Sequence, residues 1–258
     1  RGRAAAAPPA RLVIRKARGV LRSLGIYRRP AHLASLTRFA GELAPGAALV
    51  FDAGAHAGDR VTAFRRRGAR VVAVEPQRAF AVWLRSRFAL DPEVSVVEAA
   101  CGPAPGRARL RVNAANPTVS TLSEAFVAAA AGAPGWEGQA WDAEAEVEVT
   151  TLDALVARFG TPSFIKVDVE GHEAEVLAGL STPPPRLAFE VVVAARPAAL
   201  EALARARALG YRRFRLTLGE SHAWATDWID GAAMADTLKT LPVEANSGDV
   251  VAAAVEGS

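Results

Sequence analysis

From residue 48 onward, the apolar positions of the chain alternate between two spacings. Short continuous apolar runs, such as residues 49–51 and 71–74, are followed by stretches in which apolar side chains recur every three or four positions, as on a helix. Strands that alternate with helices predict a parallel sheet with helices on both faces, and continuous apolar strands suit burial on both sides. We therefore predict an α/β fold with a mostly parallel sheet.

Capping and turn residues mark the ends of these elements. Asp59 is the predicted N-cap of the first helix after residue 50 and Gly68 its end, while Thr151 is the predicted cap of a later helix. The predicted strands are residues 48–52, 70–76, 94–100, 108–112, 147–151, 163–171, 186–193, 211–218 and 249–255. The predicted helices are residues 59–68, 77–89, 151–160, 172–180 and 197–210.

Residues 130–146, rich in Gly, Ala and Trp, predict a long surface loop. A loop of this length in a compact domain is often a binding segment or a lid. Trp136 and Trp141 have two interpretations: they cover a substrate, or they hold the loop on the body of the protein.

Composition and charge divide the chain in two. The single cysteine, Cys101, excludes an internal disulfide, and the lack of a membrane-length apolar run adds to the expectation of a cytoplasmic protein. Residues 1–40 contain ten Lys and Arg and no Asp or Glu, whereas the remaining residues are acidic overall. We predict a basic helical extension at residues 1–44 and one α/β domain at residues 45–258.

The predicted extension has an amphipathic face formed by Val13, Ala17, Val20, Leu21 and Leu24. One interpretation is a helix that packs this face on the body, and the other is weak contact with a membrane surface. No aromatic interleaving or basic-region motif accompanies the charges, so we predict no nucleic-acid partner.

The segment VFDAGAHAGDR, residues 50–60, places a glycine loop after the first predicted strand. Ligands of open α/β sheets bind beyond the carboxyl ends of the strands, and four acids fall at or near such ends. These acids are Asp52, Glu75, Glu98 and Asp168. The three-glycine NAD fingerprint is missing, and Asp59 stands where a phosphate would meet the helix N-terminus.

An acidic sheet edge is unfavourable for a pyrophosphate but suits a cofactor that carries an ammonium and a sulfonium, as S-adenosylmethionine does. Glu75, which ends the second predicted strand, is placed to accept hydrogen bonds from ribose hydroxyls, a role that NAD-binding proteins share. The segment around Glu98 and Ala99 falls where an adenine ring would lie. Two alternatives stay open: an NAD-dependent oxidoreductase, and a binding protein of this fold without activity.

Four segments together resemble the FkbM-type methyltransferases: FDAGAHAGDR, VVAVEP, TLDAL and above all IKVDVEGHEAEVLAGL. The resemblance covers roughly residues 45–255 and implies a Rossmann-like class I methyltransferase that uses S-adenosylmethionine, mostly on hydroxyl groups. It also implies a seven-stranded sheet whose last strand is antiparallel. His56 departs from the family pattern, since many relatives have Asn there. The predicted cofactor-binding residues are Asp52, Gly54, Ala55, His56, Gly58, Asp59, Glu75, Glu98, Ala99 and Asp168.

The segment IKVDVEGHE also supplies the catalytic candidates. A hydroxyl acceptor needs its proton removed or polarised, and His172 is the natural base because its ordinary pKa is near neutral. Asp168, Glu170 or Glu190 could orient His172 or replace it, and Glu170 and His172 could instead cap a helix. Lys166 is predicted to be a buried partner of an acid.

Asp168, Glu170 and His172 could together bind magnesium, but their spacing does not define a three-ligand geometry, so we predict no metal. His32 and His222 are predicted to be structural or exposed. The sequence thus predicts S-adenosylmethionine-dependent O-methylation of a sugar or secondary metabolite, with a small molecule or glycan as acceptor.

Overall fold

The computed structural model describes residues 9–46, 48–219 and 222–254. Its helices are α1 (Pro9–Tyr27), α2 (Pro30–Leu43), α3 (Asp59–Arg66), α4 (Arg78–Arg87), α5 (Glu124–Ala130), α6 (Leu152–Phe159), α7 (Glu173–Ala178), α8 (Arg196–Ala208) and α9 (Gly231–Thr240). Its strands are β1 (Leu49–Ala53), β2 (Arg70–Val74), β3 (Val94–Val97), β4 (Ala100–Cys101), β5 (Gly106–Val112), β6 (Ala143–Thr150), β7 (Phe164–Val167), β8 (Arg186–Val192), β9 (Arg213–Leu218) and β10 (Ser247–Ala253).

The main sheet has the strand order β3-β2-β1-β7-β8-β10-β9. The pairs from β3 to β8 are parallel, and β10 is antiparallel to both β8 and β9. This topology confirms the predicted seven-stranded sheet with an antiparallel last strand. It also brings the carboxyl ends of β1, β2, β7 and β8 to one edge, where most of the predicted site residues lie.

Alternation of side chains along the strands builds a core on each face of the sheet. Phe51 and Ile165 pack into the core beneath α6–α9. Val50 and Phe164 point the other way, into the core formed with α2, α3 and α4. Burial on both faces explains why the central strands are continuous apolar runs in the sequence.

The predicted strand 94–100 is two strands in different sheets. β3 ends its pairing with β2 where Glu75 N donates to Val97 O at 3.0 Å. The next amide on that side of β2, Gln77 N, donates to the side chain of Glu75 instead, at 2.7 Å. Beyond this break, β4 pairs with β6, and β6 pairs with β5 in a second sheet of order β4-β6-β5.

Thr151 is the N-cap of α6, as predicted, and its hydroxyl accepts a hydrogen bond from Ala154 N. The predicted cap of α3 was wrong by one residue. The N-cap is Gly58, whose φ of +82° is accessible to glycine, and Asp59 is the first helical residue.

The two N-terminal helices pack differently on the sheet. α2 buries Leu36, Phe39, Ala40 and Leu43 in the core shared with α3. α1 instead turns Gly19 and Ser23 toward the body, and a Cβ on Gly19 would lie 2.6 Å from Ala114 O. The expectation that the predicted amphipathic face packs on the body is therefore wrong for Val13, Ala17 and Leu21, which are exposed. The boundary at residue 44 stays a prediction.

The segment between α5 and β6 is held on the body by its two tryptophans, one of the two interpretations from the sequence. Trp136 is buried against Phe126, with ring centroids 5.3 Å apart. Trp141 Nε1 donates to Val119 O at 2.7 Å.

Among the described residues, no helix combines the length and apolar character that a membrane crossing needs.

Candidate functional site

A cavity lies at the carboxyl edge of the main sheet, under α2. Its walls include nine of the residues predicted from the sequence, namely Gly54, His56, Asp59, Glu75, Ala99, Asp168, Glu170, His172 and Glu190. Four other predicted residues do not line it. Asp52 and Ala55 are fully buried, Gly58 packs on Leu84, and Glu98 turns outward to Arg85, with 2.6 Å between Oε2 and Nη1.

The loop after β1 crosses very close to the loop after β7. A Cβ on Gly54 would lie 1.8 Å from Asp168 O, and Gly54 has a φ of +89°. Both facts require glycine at this position. The loop is tied to β2, since Gly54 N and Ala55 N both donate to Val74 O, at 2.9 and 3.0 Å.

Glu75 is the carboxylate at the end of β2. His56 N donates to its Oε2 at 2.9 Å and Gln77 N to its Oε1 at 2.7 Å. Glu75 is only 2% exposed. This burial raises the pKa of Glu75 to about 7, although the two backbone hydrogen bonds oppose the rise. Each oxygen keeps a further lone pair with which to accept a hydroxyl donor from a ligand.

The ring of His56 forms part of the cavity wall between two aromatic residues. Its centroid is 4.1 Å from that of Phe80 and 5.4 Å from that of Tyr27. Burial lowers the pKa of His56 to about 4, so the ring is neutral at physiological pH. Its Nε2 is buried, with no hydrogen-bond partner among the described residues. The backbone at His56 has a φ of +44°, a conformation in which Asn is also favoured.

Arg60, which the sequence reasoning missed, connects the loop after β1 to the end of β7. Its Nε donates to Asp52 Oδ1 at 3.0 Å, its Nη2 donates to Gly54 O at 2.7 Å, and its Nη1 lies 2.9 Å from Asp168 Oδ2. Burial raises the pKa of Asp52, and Arg60 opposes that rise. The sequence did contain a signal for this residue: Arg60 follows the strand-end acid Asp52 by eight positions and lies on the next helix.

Lys166 is the buried partner of acids that the sequence predicted. Its Nζ lies 2.8 Å from Asp249 Oδ1 and 3.3 Å from Asp168 Oδ2. Burial alone would raise the pKa of Asp168, but Lys166 and Arg60 outweigh it and hold that pKa well below its ordinary value. Asp168 is therefore a carboxylate throughout the physiological range.

Three carboxyl groups meet at the ends of β7 and β8. Asp168, Glu170 and Glu190 each present an oxygen within 4.8 Å of the other two. Glu170 is 7% exposed, and the Oε2 atoms of Glu170 and Glu190 are buried without a hydrogen-bond partner in the described chain. Burial, and then the negative charge of Asp168, raise the pKa values of Glu170 and Glu190 well above normal.

Asp168, Glu170 and His172, the three residues considered for magnesium, do not form one cluster. Glu190, and not His172, is the third member of the carboxyl cluster. One oxygen of Asp168 already contacts Arg60 and Lys166, so we assign no metal.

His172 is the N-cap residue of α7, without a capping side-chain hydrogen bond. Its Nδ1 lies 3.6 Å from Glu175 Oε2, and burial lowers the pKa of His172.

α2 adds two histidine contacts that the sequence did not indicate. His32 Nε2 lies 2.8 Å from Asp59 Oδ2, and Ser35 Oγ lies 3.0 Å from His222 Nδ1. Burial would raise the pKa of Asp59, but the hydrogen bond from His32 and the charge of Arg60 lower it. Both His32 and His222 line the cavity.

Comparison with known protein families identifies the family of the chain. A family model described as the methyltransferase FkbM domain matches residues 52–212, more than half of the chain. The fold and this match define an S-adenosylmethionine-dependent methyltransferase. The chain belongs to the FkbM methyltransferase family, as its sequence motifs predicted.

Solved structures with a similar fold include several methyltransferases. A TehB-like SAM-dependent methyltransferase from Corynebacterium glutamicum has 12% identity and a TM-score of 0.48, over 95% of this chain and 99% of that chain. A precorrin-6y C5,15-methyltransferase from Geobacter metallireducens has 11% identity and a TM-score of 0.44, over 84% and 85%. An rRNA methylase from Streptococcus thermophilus has 12% identity and a TM-score of 0.40, over 88% and 96%. No curated protein matches the chain.

Proposed function

We propose that this methyltransferase transfers the methyl group of S-adenosylmethionine to a hydroxyl of a sugar or secondary metabolite. The observation that carries the proposal is a pair of buried carboxyl oxygens, on Glu170 and Glu190 beside Asp168, that have no hydrogen-bond partner among the described residues. They lie in the same cavity as Glu75 and the loop after β1. A hydroxyl must lose its proton during methylation, and a positioned carboxylate can accept it.

The cavity residues fit the proposed cofactor. Glu75, held by two backbone amides, would accept the ribose hydroxyls, and Ala99 with Cys101 would border the adenine ring. His56 Nε2, buried and without a hydrogen-bond partner in the described part of the chain, would face the same ligand. When bound, the cofactor supplies an electrophilic methyl group on a sulfonium.

The charge of the cavity wall also favours this cofactor over a dinucleotide. Six Asp and Glu residues line the wall against two residues of the Lys and Arg type. The positive charges of an ammonium and a sulfonium would be attracted to such a wall, whereas the negative charges of a pyrophosphate would be repelled by it. Asp59, in the first turn of α3, also occupies the end of the helix that a phosphate would need.

Among the catalytic candidates, we favour Glu190 as the base that accepts the acceptor proton. Glu190 stands on β8 directly across from Asp249 of β10, beyond the end of β7. His172 Nε2 instead lies 3.9 Å from a Cβ built on Gly102, the residue that follows β4. Glu170 is the second candidate, while Asp168, paired with two cations, orients the cluster and stabilises positive charge.

A methyl-transfer assay with a panel of hydroxylated acceptors tests the proposal. We expect transfer to a hydroxyl, and about a hundredfold lower turnover in Glu190→Gln with affinity for the uncharged demethylated cofactor retained. Glu201→Gln, an exposed substitution on α8, is the matched control. Transfer to nitrogen or carbon acceptors only would exclude O-methylation, and cofactor binding without any transfer would favour the inactive alternative.

A loss of turnover in His172→Asn, with Glu190→Gln fully active, would move the base to His172. Binding of NAD and not of S-adenosylmethionine, measured by calorimetry, would refute the cofactor assignment.

A further inference from the structure

α1 has an apolar surface that no described part of the chain covers. Val13, Ile14, Ala17 and Leu21 form this surface, called here the apolar strip. Val13 is 66% exposed, Ile14 53% and Leu21 69%. At about 100° per residue, the four positions fall within roughly 100° of the helix circumference. The body-facing side of α1, with Gly19 and Ser23, is a different side of the helix.

Positive charge borders the apolar strip. Arg18 and Arg22 are exposed and follow the strip along one edge of the helix. Arg15 is on the packed side, where it pairs with Asp142. The first acidic residue in the sequence is Glu42, so no carboxylate on α1 reduces this positive potential.

We propose that α1 lies in the plane of an anionic lipid surface, with the apolar strip inserted and Arg18 and Arg22 at the headgroups. Exposed apolar side chains bordered by cations are the pattern of interfacial helices. A nucleic acid would use the cations but not the apolar strip. A second copy packed strip to strip would bring the cationic borders of two identical helices together, which costs free energy.

Docking of α1 would hold the site close to the lipid. Tyr27, the last residue of α1, lines the cavity. Ser23 Oγ on the same helix lies 3.5 Å from Thr118 Oγ1, and Thr118 also belongs to the cavity wall. A lipid-bound α1 therefore places the cavity at one end of the docked helix.

Vesicle sedimentation of the full chain tests the proposal. We expect binding to phosphatidylcholine vesicles that contain about 30% phosphatidylglycerol, and weak binding to pure phosphatidylcholine. Val13→Ser with Leu21→Ser should weaken binding about tenfold, because two exposed apolar side chains no longer insert. Arg18→Gln with Arg22→Gln should weaken it by a similar factor and reduce its salt dependence.

The control is Leu90→Ser, which removes an apolar side chain that is 98% exposed in the turn after α4; it should leave vesicle binding unchanged. Binding of the demethylated cofactor by all variants shows that they are folded. The proposal is overturned if the chain ignores both vesicle types or binds them equally. It is also overturned if sedimentation velocity shows that the wild-type chain is a dimer and that the variant at Val13 and Leu21 is a monomer. Binding of a single-stranded RNA that is weakened by the Arg18 and Arg22 variant, and not by the Val13 and Leu21 variant, would overturn it as well.

Discussion

The backbone amide of His56 donates a hydrogen bond to Oε2 of Glu75 at 2.9 Å, and so joins the loop after β1 to the end of β2. The second oxygen of Glu75 accepts from Gln77 N at 2.7 Å. One carboxylate therefore shapes two loops of the cavity and also faces the proposed ribose. Loop geometry and cofactor binding are coupled at this side chain.

Substitution of Glu75 by glutamine should weaken both properties. Glutamine has one acceptor oxygen, so one of the two backbone amides loses its partner, at a cost of about 1–3 kcal/mol in the free energy of unfolding. Affinity for the demethylated cofactor should fall about tenfold or more, as measured by calorimetry. Glu201→Gln should change neither quantity, and unaltered affinity in Glu75→Gln would place the ribose elsewhere.

The pair of Arg60 and Asp52 should behave as a buried ion pair in a double-mutant cycle. Arg60→Met leaves Asp52 fully buried without its cation, so urea denaturation should show a loss of about 3–5 kcal/mol. Asp52→Asn combined with Arg60→Met removes both charges and should lose clearly less than the sum of the two single variants. Additive losses would show that Arg60 acts through Asp168 or Gly54 O instead.

The backbone conformation at His56 predicts which replacements the chain tolerates. With a φ of +44°, Asn should retain the fold and the amide contact to Glu75, because Asn populates this region readily. Val, branched at Cβ, should cost about 1–3 kcal/mol of stability. Thermal unfolding of His56→Asn and His56→Val compares the stability of the two variants. Equal stability would mean that the backbone conformation at residue 56 does not determine which residue is tolerated there.

Cofactor binding should release protons from the carboxyl cluster. Burial, and then the negative charge of Asp168, raise the pKa values of Glu170 and Glu190 well above normal, so both keep their protons to a higher pH than ordinary carboxyl groups do. A positive ligand favours their ionised forms, so its affinity should rise with pH until the pH exceeds those raised pKa values. Calorimetry in two buffers of different ionisation enthalpy counts the protons.

The demethylated product, which lacks the sulfonium charge, should release fewer protons than S-adenosylmethionine. Glu190→Gln should reduce the release further. If proton release is the same for both ligands and for the variant, the carboxyl cluster does not face the sulfonium.

Much of the fold follows from local patterns along the chain. The alternation of apolar runs and helical spacing predicted the parallel sheet, because strands buried on both faces require apolar side chains on both sides. The strand ends then placed Glu75 and Asp168 at one edge, since parallel strands share a direction. The family motifs added the antiparallel last strand.

The tertiary structure decided which of these residues meet. Nothing local to Arg60 shows that it bridges Asp52 and Asp168, because that contact depends on how α3 crosses the ends of two strands. The same holds for Glu190, which joins Asp168 only because β8 lies beside β7.

The amphipathic face of α1 shows the limit of a sequence pattern most directly. The spacing of Val13 and Leu21 indicated an apolar side of a helix, which the chain by itself determines. Which side packs on the body was decided by the close fit of Gly19 against Ala114, where a Cβ would lie 2.6 Å from the carbonyl oxygen. Helix periodicity is a local property, whereas the partner of a helix face is chosen by shape and charge brought together from distant parts of the chain.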